Sequence, residues 1–153
     1  MNTFLLPEKD RLLSWREHRN TLAKLEDTEK FKALTRWWAT APICAYSIDA
    51  DDTKNWPTPW ELLNEGVFCT SGIAYMMAAT LLLSGFDRSR LSMPFIKGQD
   101  DERLVVLIDD QIVLNYSYGE VFDWDEIRDD FHVFHTWVWP GDSDATLPVK
   151  AQA

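Results

Sequence analysis

Cysteine is scarce in this chain: Cys44 and Cys69 are the only two in 153 residues, with no C-x-x-C pair and no Cys/His cluster. Two thiols are too few for a disulfide framework and lack the spacing of a zinc site, so the sequence points to a reducing, cytoplasmic setting and to no metal. Histidine is nearly as rare, so imidazole chemistry must draw on His18, His132 or His135. Basic residues are outnumbered, fifteen Lys and Arg against twenty-five Asp and Glu, for a formal net charge of −10. That charge opposes the counterion release that drives nucleic-acid binding, which argues against DNA and RNA as partners. It suits a basic protein partner or simple solubility. Long apolar runs are missing too: the longest, Ile73 to Leu83, is interrupted by Thr80 and falls far short of the ~20 residues that span a bilayer. The opening MNTFLLPEKDRLL lacks the basic-then-apolar order of a secretion signal. There is no Gly-rich phosphate loop, no G-x-S-x-G and no His pair at helical spacing, and nothing calls for a cofactor.

What the chain has in quantity is aromatic and apolar side chain, with eight Trp, eight Phe and four Tyr in a composition that is 46% hydrophobic. Together with the length this predicts one globular domain over 1–140, followed by a polar, disordered tail over 141–153. Pro7 to His18 reads as a helix with Glu8 and Asp10 in its first turn. A second helix starts near Asp27 or Thr28, with Thr28 as a cap; Phe31, Leu34, Trp37 and Trp38 fall on one side of it, and Pro42 closes the helical segment. Whether residues 20–26 join or separate the two helices stays open. Asp49, Asp51 and Asp52 form an acidic loop without the central Gly and final Glu of a calcium-binding EF-hand, so it reads as a solvated loop. Thr58 as N-cap, Pro59 at N1 and Glu61 at N3 predict a short helix over Pro59 to Asn64. After Gly66 the chain turns into Cys69 and a helix capped by Thr70 or Ser71, which ends at Gly85; it is apolar nearly all round and belongs at the centre of the fold.

From Leu91 the pattern becomes strand-like. Leu91 to Ile96 is a strand whose Pro94 suggests an edge or a bulge. Arg103 to Ile108 and Gln111 to Tyr116 flank Asp109-Asp110 and predict a tight hairpin that pairs Ile108 with Gln111, Val106 with Val113, and Leu104 with Asn115. Asp125 to Asp130 reads as a helical turn and Phe131 to Trp139 as the last strand. Helices first and an antiparallel sheet after make the fold class α+β.

The residue with most chemistry to offer is Cys69, because a thiol at the first turn of a helix sits where the dipole and orphan N–H groups favour an anion; a small core hydrophobe is the alternative use. A Cys opening a central helix, Gly66 just before it, a strand about thirty-five residues later and a second strand hairpin-paired to it resemble the core of the transglutaminase-like and papain-like cysteine-hydrolase superfamily. The resemblance covers roughly Gly66 to Tyr116. It implies that Cys69 stands at the nucleophile's position and Asn115 at the orienting position of a Cys-His-Asn arrangement. The imidazole position falls on Leu104, which makes the chain a degenerate member. Only His135 or His132, on the last strand and on opposite faces of it, are left to rescue the site, and only if that strand neighbours Asn115. His18, on an exposed-looking helix, is discounted.

Trp137 and Trp139 share a face and, with Trp124, form either an exposed aromatic patch suited to a protein partner or part of the core. Two readings follow. In the first the chain is a non-catalytic protein-binding or accessory protein on a transglutaminase-like scaffold, of a size and acidity that suit a virus- or phage-encoded protein. In the second it is a small cysteine hydrolase or acyltransferase in which Cys69 attacks an amide or ester carbonyl.

Overall fold

The first helix, α1 (Glu8–Leu22), starts directly after Pro7 with Glu8 and Asp10 at the positive end of its dipole, and runs about one turn beyond the expected His18. The chain then turns through residues 23–25, so α2 (Asp27–Trp38) is a separate helix; Glu26 precedes it and no side chain caps it, leaving Thr28 unused in that role. The structure, a computed structural model, describes residues 2–44, 48–49, 52–99, 101–141 and 146–151. Asp51 of the acidic loop and residues 142–145 and 152–153 of the tail lie outside the described residues, as do residues 1, 45–47, 50 and 100.

Helix α3 (Pro59–Glu65) has the capping box its sequence spells out, with Thr58 accepting the Glu61 N–H and the Glu61 carboxylate accepting the Thr58 N–H. Thr58→Ala is expected to lower stability by about 1 kcal/mol in urea unfolding, because an orphan N–H loses its acceptor. Gly66 ends the helix at φ +76, a left-handed conformation that glycine adopts without strain. The central helix, α4 (Thr70–Leu83), is buried from Ser71 to Leu81, as its apolar circumference requires. Trp56 braces it: the indole ring meets Tyr75 edge-on at 5.1 Å, and its Nε1 donates to the Asp49 carbonyl at 2.7 Å. Trp15 ties α1 to the same helix by donating to Thr80 Oγ1 at 3.0 Å.

An antiparallel sheet follows, built from β1 (Leu91–Lys97), β2 (Glu102–Leu104), β3 (Val106–Ile108), β4 (Ile112–Leu114) and β5 (Phe122–Asp123), then a short helix α5 (Trp124–Ile127), β6 (His132–Val138) and β7 (Val149–Lys150). The order is β5-β4-β3-β1-β6-β7, with β2 also pairing with β1. β1 is therefore central, and Pro94 does not mark an edge. Pro94 accepts the Val105 N–H at 3.1 Å and has none to return, so the facing ladder breaks at Val105 into β2 and β3. A bulge in the β1–β6 pairing follows at Phe95/Ile96.

Asp109 and Asp110 both take φ +55 in the hairpin turn, the left-handed geometry expected of them. The register differs by one residue from the sequence expectation: Ile108 pairs with Ile112, Leu107 with Val113 and Val106 with Leu114. A one-residue slip would turn every side chain to the wrong face. In the observed register Val106, Ile108 and Leu114 join the helices' core, while Leu107 and Val113 join a second apolar cluster on the other face with Ile96, Val105 and Ile127. Described residues 146–151 of the tail include a strand. In this part β7 pairs with β6, and Trp139 Nε1 donates to the Thr146 carbonyl at 2.7 Å. Among the described residues, no helix is long and apolar enough to cross a membrane.

Candidate functional site

The segment before α4 is fixed by backbone bonds to a distant stretch. Phe68 donates to the Pro42 carbonyl and accepts from the Cys44 N–H, both at 2.9 Å, forming a parallel bridge beside Ile43. This delivers Cys69 in an extended conformation, φ −84 and ψ 165, to the N-cap of α4, so the cap is the cysteine itself and not Thr70 or Ser71. Its sulfur accepts the Gly72 N–H at 3.1 Å and the Ile48 N–H at 3.4 Å. A Cβ on residue 72 would lie 3.3 Å from that sulfur, so glycine there keeps the contact open. Cys69 is only 6% exposed, and Cys44 is half-buried; neither is in a disulfide.

The two residues after Cys69 bind the sheet. Ser71 Oγ accepts the Leu104 N–H at 3.3 Å, and Asn115 Nδ2 donates both to the Thr70 carbonyl at 2.9 Å and to the Leu104 carbonyl at 3.0 Å. Leu104 and Asn115 are thus adjacent, as the sequence led us to expect, but through a side-chain clamp and not as a cross-strand pair. Asn115 sits just past the end of β4 at φ +69, a left-handed conformation that Asn tolerates better than most residues. It is fully buried, and its Oδ1 has no hydrogen-bond partner among the described residues. Leu104 is buried in the same cluster as Cys69. Outside the clamp, Arg103 donates to the Asn115 carbonyl at 3.3 Å, pairs with Asp101 at 2.6 Å and stands over the Tyr118 ring, whose hydroxyl lies 3.4 Å from Thr70 Oγ1.

The histidines fall elsewhere. β6 neighbours β1 and β7, not β4, so the strand carrying His132 and His135 does not lie beside Asn115. His135 pairs with Phe95, which pairs on its other side with Leu104. Two strand spacings then separate His135 from Leu104, roughly 9–10 Å between Cα atoms. His132 pairs with Lys97, two residues from Phe95, so the bulge brings both histidines to one face of the sheet instead of opposite faces. Among the described residues no imidazole hydrogen-bonds the Cys69 sulfur. His18 is not exposed: its ring stacks on Trp37 at 4.6 Å with 6° between planes, and burial lowers its pKa to about 4.

The three tryptophans do not make an exposed patch. Trp137 and Trp139 are 2% and 3% exposed because their side of β6 faces the main core, and Trp124 packs on Phe131 in the second cluster. Sequence reasoning missed the roles of Ser71 and Gly72 at the sulfur and the strand. The signal was the T-S-G run after Cys69, small residues where a helix start must admit close partners. No group of three His, Cys, Asp or Glu side chains converges on a metal position among the described residues.

Comparison with family models and with curated proteins returned no match. Among solved structures, the chain resembles LapG of Legionella pneumophila. The calcium-bound form superposes with a TM-score of 0.73 at 13% identity, over 86% of this chain and 76% of that one. The EGTA-treated form gives 0.73 at 12% identity, over 94% and 82%. A third LapG structure gives 0.72 at 14% identity, over 88% and 81%. At such identities the likeness is one of fold, and the fold is transglutaminase-like.

Proposed function

We propose that this chain is a non-catalytic protein-binding module on a transglutaminase-like scaffold. The observation that carries this reading is the state of Cys69: a buried sulfur held by two backbone N–H groups, with an aliphatic Leu104 on the clamped strand beside it and no imidazole bonded to it. A cysteine hydrolase needs a base to take the thiol proton and return it to the leaving group, a contribution of ~10²–10⁴-fold. LapG is a transglutaminase-like cysteine protease, so the scaffold is one that carries such chemistry elsewhere.

A second reading has one specific observation in its favour. Two N–H donors aimed at one sulfur, Gly72's from the first turn of α4 and Ile48's from a distant segment, are an arrangement that stabilises a thiolate. On that reading Cys69 attacks an amide or ester carbonyl and His135 or His132 reaches it after a rearrangement of β6. Iodoacetamide labelling of the folded protein, followed site by site by mass spectrometry, separates the two. The binding-module reading expects Cys44 to label and Cys69 to lag far behind it throughout the range ~5 to 9 in pH. Labelling of Cys69 ahead of Cys44 below pH ~7 would establish a reactive thiolate and overturn that reading.

A further inference from the structure

Three cations on an acidic protein stand without carboxylate partners among the described residues, around an apolar floor. Lys9, Arg16 and Arg19 on α1 line a groove of about 500 Å³ with Leu12, Leu13 and Trp60, the last from α3; no Asp or Glu lines it. The α1 residues recur at spacings of three and four, so they form one stripe of the helix. Leu13 is 50% and Trp60 45% exposed, large apolar surfaces left open beside a charged rim. The groove is also built. Trp60 meets the buried Trp15 edge-on at 5.8 Å, and the Arg19 guanidinium lies over the Trp15 ring at 4.4 Å. Elsewhere Arg90 meets Asp27 and Asp109, Arg103 meets Asp101 and Arg128 meets Asp125, while Arg11 is bound by the backbone carbonyls of Leu6, Leu63 and Asn64. Lys9, Arg16 and Arg19 form no ion pair with a described residue, and Arg19 Nε is covered from water without an acceptor. Repulsion from Arg16 adds to burial in disfavouring the charge on Arg19.

We infer that this groove between α1 and α3 docks an acidic segment of a partner protein, with an aliphatic or aromatic residue seated on Leu13 and Trp60 and flanking carboxylates on Arg16, Arg19 and Lys9. The inference rests on the protein-binding reading above and supplies its surface and the chemistry of its partner. From Lys9 to Arg19 the helix extends roughly 15 Å, which an extended segment of about five residues covers. Carboxylates from a partner supply what the groove lacks, since charge-assisted bonds to arginine are strong where water is partly excluded. An anionic membrane fits less well. The groove is concave, and its apolar floor between the cations suits a narrow segment that enters it more than a broad surface that meets only its rim.

The test uses the full chain and a short fluorescein-labelled peptide in which Glu alternates with Leu and Phe, titrated by fluorescence anisotropy. Saturable binding is expected, weakened about tenfold or more when Gln replaces Glu in the peptide, and weakened as salt is raised. Lys9→Glu with Arg16→Glu, both exposed positions, and separately Trp60→Ala should each lose about tenfold in affinity while the circular dichroism spectrum is unchanged. The inference is overturned by no binding, by equal binding to the variants, by equal binding of a Lys/Leu peptide, or by charge-dependent binding to phosphatidylglycerol vesicles in place of the peptide. Cys69 labelling on the same samples keeps the two ideas apart. A lost groove with an inert thiol removes this surface alone, whereas a reactive thiol removes the binding-module reading whatever the peptide does.

Discussion

Asn115→Asp is expected to destabilise the protein by about 3–5 kcal/mol at neutral pH, the range seen when a buried charge is left uncompensated. The native amide is completely buried and donates to the carbonyls of Thr70 and Leu104. An ionised carboxylate in its place has only acceptors to offer two acceptors, so both bonds are replaced by repulsion. The aspartate would be forced towards its protonated form, with a folded-state pKa above the ~3.9 of an unfolded chain. The folded state then binds the extra proton, and the deficit relative to the native protein grows as pH rises above ~4 and shrinks as it falls towards that value. Urea midpoints for the two proteins across that range measure the gap; coincident midpoints at neutral pH would show that the clamp is not closed as described. The same geometry explains why an amide suits this position. With no imidazole beside Cys69, a carboxylate here would have no cation to orient, while an amide can pin the strand to the start of α4.

The second large effect concerns His18. Burial against Trp37 holds its pKa at about 4, below the ordinary 6.5, and its Nε2 is buried without a partner among the described residues. Between these two values the unfolded chain is protonated at this site and the folded one is not, so stability rises with pH across that window. The contribution is fully present above pH ~6.5 and is lost as pH falls towards ~4, a change of about 3 kcal/mol. His18→Phe keeps an aromatic ring on Trp37 and removes the titration. The difference in unfolding free energy between native and variant protein should therefore slope between those pH values and flatten outside them. A constant difference would mean that His18 is hydrated, or already charged, in the folded state. The comparison with the variant is needed because twenty-five acidic residues also titrate towards the lower end of this range.

Local signals carried the helices. Thr58, Pro59 and Glu61 wrote a helix start that the fold uses without change, because a capping box closes within four residues and needs nothing from elsewhere. The apolar circumference of residues 73–83 likewise placed α4 at the centre, since no surface helix tolerates it. The hairpin was legible as a turn at Asp109-Asp110, but its register was not. Which face of β3 and β4 meets the helices depends on α4 and α5, neither of which belongs to the hairpin. The strand content of the tail was hidden for a similar reason. Val149 and Lys150 form a strand only because β6 offers them an edge.

The sequence by itself determined that Cys69 opens a buried helix, and that the residues flanking the Asp109-Asp110 turn form strands, with Leu104 before it and Asn115 after it. Those facts follow from element order and from residue identity, which no packing can alter. Only the tertiary structure decided what surrounds the sulfur and where the histidines go. The Ile48 N–H reaches Cys69 from twenty-one residues away, and the strand order sets His135 behind Phe95, across the sheet from Asn115. Such partners are chosen by strand order and bulge position, long-range properties in which the whole chain's hydrophobic faces compete. The same holds for the groove of α1, whose cations look like ordinary solvated charge until Trp60 is packed beside them.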